Sequence, residues 1–275
     1  MRRTALTAAG VALVIALAGC GGKDGGSATP IDNPAQGGGA TMFASIQELA
    51  QAATAQTQKS QSARFTFEMD MAGQKASGSG QGRFVGENPA MSMTMGMGGQ
   101  SMEVRLVDNA LYMKMPEGSA PEGMKPWIKT SLDGDDPMSQ SVRQSLGQND
   151  PAKTLDMIQE AGGKIVKSEQ AQLDGQPTTH YVIEVDAVKM MEKQGQANPM
   201  LDSAEGRQAM EQIGTIPMEL WLNGDQLPVQ VVMDMSKMME AAGQAGQTGK
   251  MTMKYTDWGA PVTIEAPPAD QVTER

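Results

Sequence analysis

Leu, Ile, Val and Phe together supply only 43 of the 275 residues, about 16%. That lies below the roughly 20% at which a highly charged chain is suspected of disorder. Aromatic residues make up 4%, and there is one cysteine, Cys20, and one histidine, His180. A lone cysteine excludes an internal disulfide and a cysteine-based metal cluster. A lone histidine excludes paired-histidine metal motifs and most proton relays. Cations are short as well: 22 Lys and Arg against 32 Asp and Glu leave a net charge of −10. Such a surface repels phosphate backbones and forgoes the main electrostatic contribution to nucleic-acid binding, so no nucleic-acid partner is expected. What offsets the apolar deficit is methionine. Its 25 residues raise the apolar side chains to about a quarter of the chain, enough for a core built of unbranched, adaptable material.

Residues 1–20 read MRRTALTAAGVALVIALAGC. Arg2 and Arg3 precede an apolar run from Ala5 to Ala18, shorter than the roughly 20 residues of a membrane span. A basic start, a short apolar stretch and a small-residue site form the pattern of an export signal. The run ends in Leu17-Ala18-Gly19-Cys20, which resembles the bacterial lipobox. In signals of that kind the cysteine becomes the first mature residue and carries a diacylglyceryl thioether. Residues 1–19 are therefore expected to be a lipoprotein signal peptide, with Cys20 the lipidation site. Removing Arg2 and Arg3 with the signal takes the net charge to −12. Residues 21–40 hold seven Gly and two Pro and almost no apolar side chains. They read as a flexible tether, spanning on the order of 25 Å as a random coil. The expected layout is lipidated Cys20 and tether over 20–41 and one folded domain over 42–275, held at the outer face of the cell membrane.

Residues 42–59 place Phe43, Ile46, Leu49, Ala50 and Ala53 at helical spacing, which predicts an amphipathic helix. Period-two patterns then take over. Phe65, Phe67, Met69 and Met71 alternate with Thr66, Glu68 and Asp70; Met91, Met93, Met95 and Met97 alternate with small residues; Met102, Val104 and Leu106, then Leu111, Met113 and Met115, continue the series. Clean alternation predicts antiparallel strands with one face covered. Asp150-Pro151 starts a predicted helix that glycines end at 162, and a shorter one is expected over 138–146. Strands return over 164–173 and 178–186 around Asp174-Gly175, a strong hairpin signal. Residues 188–213 read as helical with an interruption near Asn198-Pro199. A second hairpin pairs 215–222 with 228–236 around Asn223-Gly224. Residues 241–249 read as a loop, and 250–257 as a last strand. The expected fold class is α+β, mainly β: a large antiparallel sheet with helices on one face.

The tail Tyr255-Thr256-Asp257-Trp258-Gly259-Ala260-Pro261-Val262-Thr263-Ile264, followed by Ala266-Pro267-Pro268, resembles that of the LppX/LprG-type lipoproteins of actinobacteria. The lipobox and the strand layout agree with it, and the resemblance extends over residues 42–272. It implies a LolA/LolB-like half-open antiparallel β-barrel with helices against its concave face, enclosing an apolar cavity for acyl chains. It also implies an acylated lipid or glycolipid as partner, membrane contact through the Cys20 anchor, and a membrane transporter as a further partner. The family has no shared catalytic motif, so no residue is assigned to catalysis and no enzyme activity is expected.

The candidate cavity lining follows from alternation: Phe65, Phe67, Met69, Met71, Met93, Met95, Val104, Leu106, Met113, Leu220, Val231 and Met233. Thioether side chains adapt to irregular shapes and so suit acyl chains of varied length. Two other readings stay open. The methionines can replace Leu and Val in an ordinary core, giving an interaction or sensor lipoprotein without a cavity. Alternatively, Met91–Met97 resembles the Met-rich segments that hold Cu(I) through thioethers, although successive side chains on one strand face stand about 6.5–7 Å apart. No cofactor or resident metal is expected. His180 falls opposite the apolar face and reads as a solvated strand histidine. Asp133, Asp135 and Asp136 lack calcium-loop spacing and read as a polar turn, and Gly78-Ser79-Gly80 reads as a turn as well.

Overall fold

The computed structural model describes residues 42–84, 89–116, 124–134, 151–193, 208, 211–241, 244 and 246–274. All belong to one compact unit, Gly38–Arg275. The segments expected to be signal peptide and tether, with Cys20 between them, lie outside the described residues, as do the helix expected over 138–146 and the interruption expected at Asn198-Pro199.

Turn chemistry sets the strand layout. Ala72-Gly73, Gly98-Gly99, Asp108-Asn109 and Asp174-Gly175 all have φ between 51° and 82° at both positions, as two-residue type I′ hairpin turns require. They join β1 (Ser62–Met71) to β2 (Gln74–Arg83), β3 (Ala90–Met97) to β4 (Gln100–Val107), β4 to β5 (Ala110–Lys114), and β7 (Lys164–Leu173) to β8 (Gln176–Asp186). Between β9 (Thr215–Leu222) and β10 (Pro228–Asp234), the Asn223 side-chain oxygen accepts from the amides of Asp225 at 3.0 Å and Leu227 at 2.9 Å. With β6 (Trp127–Ser131), β11 (Gly249–Thr256) and β12 (Val272–Glu274) they form one 12-stranded sheet, ordered β12-β6-β5-β4-β3-β2-β1-β11-β10-β9-β8-β7. Every pairing is antiparallel except β12 with β6. The sheet stays open, with β12 and β7 as its edges.

Helix α1 (Ile46–Ser60) starts at Ser45, whose Oγ accepts from the Glu48 amide at 3.2 Å, and ends at Gln61 with φ 64°. Helix α2 (Pro151–Glu160) starts on proline, whose fixed φ and missing N–H suit the first helical position. Helix α3 (Ala187–Lys193) is capped by Asp186, which accepts from the Lys189 amide at 3.0 Å. Helix α4 (Ser236–Ala241) follows Asp234, whose carboxylate accepts from Ser236. Those bonds to Ser236 hold the Asp234 carboxyl below its ordinary range. The strand predicted to run to Ser236 therefore stops at Asp234, because Asp-x-Ser offers the backbone a cap.

Three apolar clusters result. In the first, Leu49, Ala50 and Ala53 of α1 and Leu155 and Ile158 of α2 pack on Tyr181, Ile183, Met218 and Leu220. The second gathers Ala63, Phe65, Phe67, Met91, Leu106, Leu132 and Tyr255, with Phe84 and Trp258 beside them. The third lies on the opposite sheet face, where Val262, Ile264 and Val272 of the C-terminal segment cover Ala90, Val107, Ala110, Tyr112 and Trp127. Gly78-Ser79-Gly80 corrects the sequence reading: it is the middle of β2, not a turn.

Candidate functional site: the apolar face of the sheet

Directly paired residues of neighbouring antiparallel strands point to the same side, so the register traces the face. One row runs Tyr181, Leu220, Val231, Met253, Phe67, Gly78, Met95 and Met102 across eight strands from β8 to β4. The next runs Tyr255, Phe65, Gly80, Met93, Val104, Met113 and Ile128 from β11 to β6. All twelve candidate residues belong to this face: Leu106 pairs with Met91, Met69 and Met233 each pair with Met251, and Met71 follows two residues after Met69.

Exposure divides them. Leu220 is 0% exposed under the helices, and Phe65, Phe67 and Leu106 are buried. Met69, Met71, Met93, Met95, Val104, Val231 and Met233 are half-buried, and Met113 is 36% exposed. Among the described residues, the helices contribute to the first cluster but none of their residues joins the second. The face is thus sealed by helices over β8 and β9. Beyond them buried residues (Phe65, Phe67, Met91, Leu106, Ile128) stand among half-buried ones, and Met113 on β5 is the most exposed of the twelve.

Glycine in β2 shapes the centre of the face. A Cβ at Gly78 would fall 2.5 Å from Phe67 Cε1, and one at Gly80 2.5 Å from Phe65 Cζ. The two phenyl rings therefore lie across β2 where side chains would otherwise stand. At one end of the face Trp258 stacks on Tyr255, with ring centres 5.5 Å apart, and its Nε1 donates to the Pro228 carbonyl at 2.8 Å. Polar groups on the face are few and engaged. The Tyr181 hydroxyl accepts from the Phe43 amide at 3.0 Å, and burial pushes its pKa up; the Tyr255 hydroxyl donates to Met253 sulfur at 2.7 Å.

Over β1 to β4, outside the third apolar cluster, the other face is largely hydrophilic. It carries Arg64, Thr66, Ser79, Gln81, Ser92 and Thr94, which line an open groove of about 390 Å³, and two further grooves of about 340 and 370 Å³ follow the same face. Phe65 and Met93 also border the first of these grooves and Met69 the second, beside mostly polar and charged residues. The C-terminal tail crosses this face as a strap: Ser62 Oγ donates to the Ala260 carbonyl at 2.7 Å, Gln81 Nε2 to the Thr263 carbonyl at 2.8 Å and Arg105 Nη1 to the Glu265 carbonyl at 3.1 Å.

His180 departs from the solvated reading. Its side chain is 12% exposed, Nδ1 lies 3.2 Å from Glu169 Oε1 and Nε2 2.8 Å from Glu219 Oε2, and the ring stacks on Trp221 at 4.2 Å. Register explains this, since Glu169 and Trp221 are its direct cross-strand partners, and cross-strand partners are invisible in a linear pattern. Lys167 first, then His180, holds the exposed Glu169 carboxyl below its ordinary range. Asp133 accepts from the Asn109 amide, tying its loop to the β4–β5 turn; Asp135 and Asp136 lie outside the described residues. Among the described residues no group of three or more His, Cys, Asp or Glu side chains could hold a metal ion, and no helix is long and apolar enough to cross a membrane.

No protein-family model matches the chain, and no curated protein is a significant match. Solved structures do match. The lipoprotein LppX of Mycobacterium tuberculosis is 14% identical, with a TM-score of 0.47 over 80% of this chain and 98% of that one. MucB in the Pseudomonas aeruginosa MucA/MucB complex is 13% identical, with a TM-score of 0.36 over 82% of this chain and 59% of that one. MucB by itself is 16% identical, with a TM-score of 0.39 over 83% and 62%.

Proposed function

We propose that the chain is an envelope lipoprotein of the LppX/LprG type, anchored through Cys20, that binds the acyl chains of a lipid or glycolipid on the apolar face of its sheet and carries or presents them. The observation that supports this reading is one continuous apolar face that is sealed at Leu220, 0% exposed, yet leaves many of its other side chains half-buried and Met113 at 36%. An ordinary core seals its apolar side chains. Here seven of the twelve candidate residues are only half-buried, so acyl chains laid across the strands from β10 to β5 would complete their burial. At about 25 cal/mol per Å² of apolar surface removed from water, that burial supplies several kcal/mol. It needs no directed hydrogen bonds, in keeping with a face whose few polar groups already have partners. The methionines add adaptability to chains of different length. A tether of about 20 residues would keep the domain within roughly 25 Å of the membrane, where donor and acceptor lipids are found.

A charge placed on the half-buried part of the face tests the reading. Met93→Lys or Val104→Lys is expected to weaken binding of a fluorescent fatty acid by at least about tenfold, the effect of roughly 1.4 kcal/mol. Wild-type binding that neither substitution alters, in chains with unchanged circular dichroism, would remove the face from lipid binding.

A further inference from the structure

We propose that the methionines of β10, β11 and β1 form a thioether site for a soft monovalent cation, Cu(I), at one end of the apolar face. The register pairs Met233 with Met251 and Met251 with Met69, three thioethers at successive positions of three adjacent strands. Met218 continues the row on β9 but is sealed at 1% exposure, whereas the other three are half-buried. Directly opposed residues of antiparallel strands have Cβ atoms about 4.5–5.5 Å apart. Successive residues on one strand face stand about 6.5–7 Å apart. Met91–Met97 alone therefore spreads its sulfurs along a line, while the cross-strand row brings three flexible arms within reach of one point.

A second observation marks the same place. One step along the strands, Met71 pairs with Gly249, and a Cβ at Gly249 would fall 2.9 Å from Met239 Cγ. Met239 of α4 thus fills the room that the missing side chain leaves, adding a thioether from a helix beside Met71. Met69, Met71, Met233, Met239 and Met251 make a sulfur-rich surface that accessible solvent still reaches. Neutral thioethers are soft, weakly basic donors. They favour Cu(I) over hard divalent cations that need carboxylates or water. Binding involves no electron transfer. Because Met69, Met71 and Met233 also belong to the proposed acyl-binding face, the chain is stripped of co-purified lipid before the copper test.

The test uses the full chain carrying Cys20→Ser, so that no thiol competes, under anaerobic conditions with Cu(I) supplied as its coloured bicinchoninate complex. The chain is expected to remove Cu(I) from the chelator and to show a sulfur-only first shell in X-ray absorption. Met69→Leu/Met233→Leu/Met251→Leu is expected to lose at least about tenfold in affinity with its melting temperature preserved, because Leu and Met are similar in volume. Met91→Leu/Met102→Leu, outside the row, is expected to bind as the parent does. Met251→Leu alone, with a smaller loss, serves if the triple variant does not fold. No transfer of copper from the chelator overturns the proposal. So does full affinity in the row variants, or an equal loss in Met91→Leu/Met102→Leu.

Discussion

Glycine in the middle of a strand ordinarily weakens a sheet, since it loses the most backbone entropy on folding and has no side chain to pack. Gly78 and Gly80 offset that cost by admitting the rings of Phe67 and Phe65 across β2. Two of only four phenylalanines are thereby laid flat at the centre of the apolar face. Gly78→Ala or Gly80→Ala drives a methyl group into a phenyl ring and is expected to cost about 1–3 kcal/mol, the usual range for overpacking. Gly96→Ala is the control, because a Cβ there meets only the Ser77 carbonyl oxygen, at 3.8 Å. It is expected to change stability by less than about 0.5 kcal/mol. Urea denaturation of the three variants checks the contrast; equal stabilities would mean that the rings are free to move aside. The same residues explain a misreading. Gly-Ser-Gly looks like a turn because turn residues are small, and only the alternation of Gly78, Gly80 and Gly82 with Ser79 and Gln81 carries the strand signal.

At the scale of elements, the Asp174-Gly175 hairpin was legible because those residues accept positive φ, and the Met strands because their alternation is unbroken. The Asn223-Gly224 hairpin was legible because Asn223 caps the turn with its side chain, while positive φ falls on Gln226. β6 and β12 were not. β6 buries Trp127 on the hydrophilic side, where Arg105 lies 4.8 Å from the ring centre, so its pattern reflects the C-terminal strap rather than the main face. β12 has three residues and pairs parallel with β6, a contact that local sequence cannot announce. Helix α4 stayed hidden because Met233, Met235 and Met239 continue an apolar pattern through the Asp234 cap. The tail motif is now a mechanical part: Trp258 closes one end of the apolar face while residues 260–265 cross the other face to a small core around Ile264. Ile264 is buried, and Ile264→Ala is expected to cost about 2–4 kcal/mol through the cavity it leaves. Thermal unfolding reads this directly, and fatty-acid affinity measured below the transition should be retained, since Ile264 lies on the opposite face. A loss of affinity without loss of stability would mean that the strap takes part in binding.

For the molecule as a whole, the twelve residues chosen from alternation share one face because the side-chain period of a strand is fixed and the bulges, at 228–230 and 165–167, fall outside the positions concerned. Hidden from the sequence were which positions of that face stay half-buried and the methionine row across β10, β11 and β1, both set by strand order. Among the described residues, a chain poor in Leu, Ile, Val and Phe has Met69, Met71, Met93, Met95, Met102, Met113, Met233, Met251 and Met253 where the apolar face stays half open. The proposed reason is a ligand that completes the burial. The most direct measurement is organic extraction of the purified Cys20→Ser chain, which cannot carry its own lipid anchor, followed by mass spectrometry. Acylated lipid at a substantial fraction of one equivalent, lost in Met93→Lys, is the predicted result; lipid-free protein from several bacterial hosts would contradict the account.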